Sequence, residues 1–569
     1  MGKALVALDT DHIKEYVFGT DRLKEIRGAS SLLDYLNRVV MTELAEYYHG
    51  EKVYANGGSG LFLIAAEQAD AFGKHVQQSY HEVSGGGVSV TFVSLPLPEH
   101  IVDIGDDDIG DIFELLQWHL QEAKQHSPES LAMASHPFMR LCDACGIEYA
   151  DAAAPSREIV RGPGEEDEQY CTSCQLKRAR DSEVEKLIQD IEARHAVPYN
   201  EYLWTEIISC LRKRGYDLPP QTLPPSDFNV FRNFKGAKDY LGLIYADANN
   251  MGRALEKQCS LVSRQKFANT VDKAIYTSVC TAITRHLKVT DHLKPKEQQT
   301  DDLENPVFPF DILLMGGDDI CMVVPASVAM DVALTIAETF YNETNKEYTL
   351  SAGVILAPVK YPFGLLQEMA ETALKFAKKT GADARAKAKK ADTTIDDTRI
   401  NFMIVTGSSS SDFTSVYNTA YHRQDDNMHQ EFHATLRPYT PDYLRILLGA
   451  IRDKDGANLG RTKLHQIREA VLKMNLTTSV GDGLAVLRNW REKQRNHVVR
   501  QVYEFSGNYQ MPRSNLDNPA SGFPHVTFPW FADGKDEKNG ADIYRTSLLD
   551  FTELYDFLAR EDGDHSEKG

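Results

Sequence analysis

Long apolar runs are missing from this chain: across 569 residues, no uninterrupted apolar stretch approaches the roughly 18–20 residues that a membrane-crossing helix needs. The N-terminus also lacks a basic segment followed by an apolar one, so the sequence predicts neither a membrane span nor a secretory leader and points to the cytoplasm. Positive charge is in deficit. Lys and Arg number 62 against 83 Asp and Glu, a net charge of −21. That balance excludes a general nucleic-acid coat, whose affinity comes from counterion release by Lys and Arg, and leaves any RNA contact local or arranged by partners. Cysteine is scarce as well, with eight residues in all. Cys210, Cys259, Cys280 and Cys321 fall in apolar contexts without ligand spacing and read as core residues of a reduced protein.

The other four cysteines are ordered. Cys142-x-x-Cys145 and Cys171-x-x-Cys174 are two turns, each able to present two thiolates to one tetrahedral Zn²⁺. Four thiolates leave no open position, so this spacing predicts a structural ion; a redox or disulfide role is the other reading. The segment 156–169 between the pairs is rich in Arg, Gly and Glu and is expected to be an exposed loop.

Gly316-Gly317-Asp318-Asp319 lies between two apolar runs, 312–315 and 320–324, and predicts a hairpin with paired carboxylates at its tip. Two acids at a turn would by themselves read as solvated. Upstream, however, the apolar run 240–245 ends in Asp247, followed by the small residues Ala248-Asn249-Asn250-Met251-Gly252. If the strands are neighbours, three carboxylates meet at one edge, the arrangement in which two Mg²⁺ or Mn²⁺ clamp the attacking and leaving oxygens of a phosphoryl displacement. Farther on, 348–356 alternates like a strand, and 365–379 has helical spacing ending in Ala377-Lys378-Lys379-Thr380-Gly381. Lys378 is then either a polyphosphate contact or a cation at a helix C-terminus.

The N-terminal part repeats this plan. Residues 4–8 form a strand ending in Asp9, Ala55-Asn56-Gly57-Gly58-Ser59-Gly60 precedes an apolar run, 88–95 is a strand, and a helix carries Ala123-Lys124. In this reading Ser59 and Gly60 occupy the places of Asp318 and Asp319, so the first copy binds nucleotide without doing chemistry.

The order strand-Asp, helix, strand-Gly-Gly-Asp-Asp-strand, strand, helix with Ala-Lys-x-x-Gly resembles the palm of GGDEF-type nucleotidyl cyclases. Joined to Asp247-Ala248-Asn249-Asn250-Met251-Gly252, and to the stretch Ile13-Lys14-Glu15-Tyr16-Val17-Phe18 through Leu32-Leu33, it is similar to the large polymerase-like subunit of type III CRISPR effector complexes. The resemblance implies an α+β multidomain fold. Its expected parts are a degenerate first ferredoxin-like palm (1–128), a zinc-binding helical domain (129–235), a catalytic second palm (236–408) and a helical C-terminal domain (409–569). It also implies synthesis of cyclic oligoadenylate from ATP, with Asp247, Asp318 and Asp319 holding two Mg²⁺ or Mn²⁺. Donor nucleotide is expected at Gly316, Gly317, Asn250 and Lys378, and acceptor at Gly57, Gly58 and Ser59. Partners would be other CRISPR effector subunits with guide RNA and target RNA. Many members begin with a histidine-aspartate nuclease domain; no His-Asp dipeptide occurs here, so DNA cleavage is not expected. A stand-alone defence cyclase without guide RNA and a catalytically silent nucleotide-binding scaffold are the alternatives. The basic stretches 375–390 and 488–500 read as solvated helix faces or as RNA or partner surfaces.

Overall fold

The structure is a computed structural model, and it describes residues 2–126, 139–151, 168–190, 203–219, 222–234, 239–289, 306–390, 395–406, 412–453, 459–503, 528–536 and 540–558. Most of the loop expected at 156–169 lies outside these residues, as does the acidic end 561–569.

The first sheet comprises β1 (Lys3–Thr10), β2 (Glu51–Asn56), β3 (Ser59–Ala65) and β4 (Val90–Pro96), in the order β2-β3-β1-β4 with every neighbouring pair antiparallel. Between β1 and β2 run helices Ile13–Phe18, Leu23–Tyr35 and Met41–Tyr47, and between β3 and β4 runs Ala69–Ser84. Alternation in the strands gives the sheet two apolar faces. Val6, Leu8, Phe62 and Ile64 join the main core, while Leu5, Ala7, Leu61 and Leu63 face a smaller core closed by Phe113 and Leu116 of helix Gly110–His126.

The second sheet repeats the order with one strand added: β6 (Asp311–Gly316), β7 (Asp319–Pro325), β5 (Tyr240–Ala248), β8 (Leu350–Pro358) and β9 (Ile400–Ile404), the last parallel to β8. Helices Leu261–His286 and Ala329–Glu343 pack on each other, and the second also packs on β5 and β8. Helix Phe363–Lys390 packs on β5, β8 and β9. The sequence expectation that this helix ends near Gly381 is corrected: it runs through that glycine to Lys390. A Cβ at Gly381 would sit 2.3 Å from the Asp397 carbonyl oxygen, so the residue marks a close backbone approach rather than a stop.

The palms share one continuous core. Arg38 makes two bonds to Asp272 of helix Leu261–His286, at 2.6 and 3.2 Å. Arg27, buried in helix Leu23–Tyr35, reaches Asp181 at 2.7 Å and Asp311 at the start of β6 at 3.3 Å. Helix Thr172–Asp190, which begins just after Cys171 and carries Cys174 and Asp181, lies against helix Leu23–Tyr35.

The C-terminal part has the expected helices, among them Pro441–Arg452, Arg461–Leu472 and Leu476–Arg488. The structure adds a sheet in the order β10 (His422–Asp425), β11 (Gln430–His433), β13 (Asp542–Arg545), β12 (Phe531–Lys535). Its strands are short and polar, which is why helical periodicity masked them. Arg437, fully buried, bonds Asp550 at 2.7 Å and the Phe402 carbonyl of β9 at 2.9 Å, fastening this part to the second palm.

Candidate functional site

β5 is flanked by β7 and β8, and the register sets Asp247 opposite both Asp319 and Ser351. Directly opposed residues project to the same face, so two of the three predicted carboxylates stand side by side on adjacent strands. Asp318 is the turn residue just before Asp319, and its carbonyl accepts from the Ala248 amide at 3.2 Å, which keeps the tip next to the end of β5. The three acids therefore converge. Lys378 is brought in by helix Phe363–Lys390, and its Nζ lies 2.7 Å from Asp247 Oδ1 and 3.1 Å from the Ala248 carbonyl. It stands twelve residues before the helix end, so a role in capping the C-terminus is ruled out. Asn250 is exposed, with φ 62°, at the entry to the short helix Met251–Glu256, and Asn249 is held below it by Thr349 at 3.0 Å.

Burial and crowding raise the affinity of Asp318 and Asp319 for protons. Asp318 is pushed up to about 6 and Asp319 to about 8, by burial first and then by the Asp247 carboxylate. Such a set carries negative charge that divalent ions would relieve, and its donors are the hard oxygens that Mg²⁺ or Mn²⁺ prefer. Tyr245, two residues before Asp247, is buried at the base of this cluster.

A residue to which the sequence gave no separate role enters from the other palm. Lys14, on helix Ile13–Phe18, bonds Glu371 of helix Phe363–Lys390 at 2.9 Å and lies 5.4 Å from the centre of the Tyr245 ring. Burial alone would lower its proton affinity; the Glu371 bond and the fields of Asp319 and Asp247 outweigh that and raise it. Its counterpart in the repeat is Gly252, so the pairing is one-sided, and laying one copy on the other would have singled it out.

The two hairpin tips touch. A Cβ at Gly57 would come within 2.5 Å of Gly317 Cα, and both glycines have positive φ, 58° and 62°. Register also corrects the sequence alignment of the repeats. Asp9 faces Ser59 as Asp247 faces Asp319, and Thr10 N bonds Gly58 O as Ala248 N bonds Asp318 O. The residues at the places of Asp318 and Asp319 are thus Gly58 and Ser59, not Ser59 and Gly60. Matching the glycine pairs by identity slipped the comparison by one; backbone pairing is the stricter guide. Beside the joined tips lies a cavity of about 260 Å³ lined by Tyr54, Asn56, Gly57 and Ser59 from the first palm and Met251, Leu255, Phe267 and Asp318 from the second. Gly58 is outside it, facing Ile13. In the first palm Lys124 repeats the Lys378 contact, 2.6 Å from Asp9 and 3.2 Å from Asp11.

The four Sγ atoms of Cys142, Cys145, Cys171 and Cys174 lie within 4.8 Å of one another, and Cys145 and Cys171 are 4.0 Å apart. Tetrahedral Zn²⁺ with arms of about 2.3 Å needs sulfurs about 3.8 Å apart. Backbone amides of Ala144 and Cys174 point at the Cys142 and Cys171 sulfurs, each at 3.4 Å, as suits thiolates. All four are free, and the donor set fits zinc.

Residues 240–386 match the family model for the second palm domain of Cas10/Cmr2. No curated protein matches the sequence. Among solved structures, Csm1 of T. onnurineus superposes with a TM-score of 0.50 at 13% identity, covering 98% of this chain and 70% of that one. A Csm1–Csm4 cassette in complex with cA4 gives 0.49 at 11% identity over 90% and 67%, and one in complex with AMPPNP gives 0.47 at 13% over 86% and 65%. The chain thus spans about two thirds of the length of these structures' chains. Among the described residues, no helix is long and apolar enough to cross a membrane. Residues 240–386 thus carry the match to the Cas10/Cmr2 second palm domain, and the chain as a whole, with its two joined palms, is similar in fold to Csm1.

Proposed function

We propose that the chain is an ATP-dependent nucleotidyltransferase that makes cyclic oligoadenylates within a type III CRISPR effector complex, alongside guide RNA, target RNA and partner subunits. The observation that carries this reading is the convergence of Asp247, Asp318 and Asp319 at the junction of two palms. The working units are 1–128, 129–235, 236–408 and 409–569. Two Mg²⁺ or Mn²⁺ on the three acids would supply charge stabilisation at the α-phosphate and at the departing pyrophosphate.

The chain's own residues bind and orient. The donor triphosphate lies along Gly316 and Gly317, where backbone comes close without side chains, and is bounded by Asn250 and Lys378. Lys378, bonded to Asp247 in the free protein, holds that carboxylate in place and turns to phosphate when nucleotide enters. Lys14 closes the site from the first palm and offsets charge on the leaving pyrophosphate. The cavity beside Gly57 and Ser59 takes the acceptor base and sugar, which explains why that palm needs no acid pair. The acceptor ribose hydroxyl gives its proton to solvent as its oxygen bonds the donor α-phosphorus, the bond from that phosphorus to the α–β bridging oxygen breaks, and pyrophosphate leaves with the charge. Repetition and ring closure give the cyclic product.

Incubating the purified chain with ATP and Mn²⁺, with and without partner subunits, guide RNA and target RNA, tests this by mass spectrometry of the products. Oligoadenylates made by the unmutated protein and not by Asp318→Ala/Asp319→Ala are expected. No product in any of these mixtures would overturn the enzyme reading in favour of a scaffold.

A further inference from the structure

We propose that His422, Glu431 and His433 form a second transition-metal site, on the hairpin β10–β11 of the C-terminal sheet, distinct from both the cysteine cluster and the acidic junction. In the hairpin register His422 faces His433, and Gln424 faces Glu431. Glu431 and His433 are two residues apart on one strand, so all three side chains project from the same face of the sheet. Their donor atoms converge. His422 Nε2 lies 2.9 Å and His433 Nε2 2.7 Å from a single oxygen, Glu431 Oε1, and the imidazole centres are 4.7 Å apart.

Two ring nitrogens aimed at one carboxylate oxygen define a point that a cation would share with all three groups. A tetrahedral ion with arms of about 2.0–2.1 Å needs donors about 3.3 Å apart, so each histidine nitrogen has to move from Glu431 Oε1 by only about 0.5 Å, within reach of side-chain rotation on a fixed hairpin. The ligand chemistry, two imidazoles and one carboxylate, suits a borderline divalent ion such as Zn²⁺ and not Mg²⁺ or Ca²⁺. Side-chain exposures of 29%, 14% and 18% for His422, Glu431 and His433 place the cluster at the surface with its roots covered, leaving water able to supply a fourth ligand. Among the described residues, Arg545 of β13 is the cation opposite His433 in the register. Asp533 of β12 holds that guanidinium at 2.6 Å and neutralises it. An ion here would clip β10 to β11 at the edge of the sheet.

Zinc content of the full-length chain, purified in Zn²⁺-containing buffer and desalted, tests the assignment independently of any catalysis. About two zinc ions per chain are expected for the unmutated protein. His422→Gln/His433→Gln should lose one and keep the cysteine-bound ion, while Cys142→Ser/Cys145→Ser should lose the other. Mapping histidine modification by diethyl pyrocarbonate on unmutated protein gives a measurement that needs no variant: Zn²⁺ should protect His422 and His433 several-fold. A content of one zinc removed entirely by the cysteine substitutions would overturn the proposal, and so would unchanged modification of both histidines with Zn²⁺ present.

Discussion

The two palms share a strand order, a lysine on the helix after the fourth strand and a strand-terminal aspartate, yet their hairpin tips differ in backbone as well as in side chain. At the tip of the second palm's hairpin only Gly317 has positive φ, and Asp318 sits in ordinary backbone where an L side chain is at ease. In the first palm Gly57 and Gly58 both have positive φ, 58° and 86°. Restoring an acid at position 58 would therefore force an L residue into a left-handed conformation and against Ile13, whose Cδ1 lies 2.3 Å from where a Cβ would be. The first tip has the geometry for joining Gly317 and shaping a cavity; the second has the geometry for presenting carboxylates. Divergence between the copies is thus written into the turn itself.

The comparison breaks if the acids of the first palm matter as much as those of the second. Asp247→Asn removes a metal ligand and the partner of Lys378, and turnover of ATP should fall by about 10³-fold or more; Asp9→Asn, at the matching place beside Lys124, should cost no more than a few-fold. Equal losses would mean that both palms do chemistry. Next in size is the effect of the cysteine cluster, whose four thiolates fit zinc. Cys142→Ser/Cys171→Ser should release the zinc and destabilise the chain by several kcal/mol, seen as an early unfolding transition, because the ion's binding energy is also folding energy. Arg22, which reaches the Asp143 carbonyl at 3.0 Å and Glu168 at 2.8 Å, ties that cluster to the first palm, so first-palm amides should lose hydrogen-exchange protection before those of the second.

Much of this was legible in the residues because the signals are local. Asp247, Asp318, Asp319 and the four cysteines each sit in a short motif whose spacing fixes a turn or a strand end, and the structure brings each set together. What escaped depends on contacts between distant segments. Lys14 and Glu371 are 357 residues apart, and nothing within either helix marks the pairing. The one-residue slip between the copies arose because glycine identity does not encode register, which hydrogen bonds across β1 and β3 decide. Gly381 looked like a helix stop because its partner, the Asp397 carbonyl, belongs to a later segment. The polar strands β10 and β11 bear no apolar alternation, and β11 gains its neighbour β13 only after about a hundred further residues.

Lys14 sharpens the comparison by asking whether the first palm acts on the chemistry or only on binding. Lys14→Ala should lower turnover by about 10- to 100-fold with little change in stability, since its head group is partly exposed. If the lysine serves the departing pyrophosphate, kcat falls and KM for ATP barely moves, and Lys14→Arg restores part of the rate. A change confined to KM would make it a ground-state contact.

The smallest expected effect is one of proton linkage. Asp318 and Asp319 in the metal-free protein hold protons up to about pH 6 and 8, whereas in the unfolded chain they release them near the ordinary carboxylate value of 3.8. Their folded affinities are raised, so their favourable contribution is complete below about pH 4 and is lost as pH climbs towards 8. Asp318→Asn/Asp319→Asn removes that loss. The variant should melt about 2–4 °C above the unmutated protein at pH 8 without divalent ions, and match it at pH 4. Mn²⁺ at pH 8 should raise the melting temperature of the unmutated protein more than that of the variant, which keeps only Asp247 of the three carboxylates. In the first palm, where Ser59 stands at the place of Asp319, Ser59→Ala should show no such pH-dependent difference; a slope there would mean that the strain of the acid cluster is shared across the joined tips.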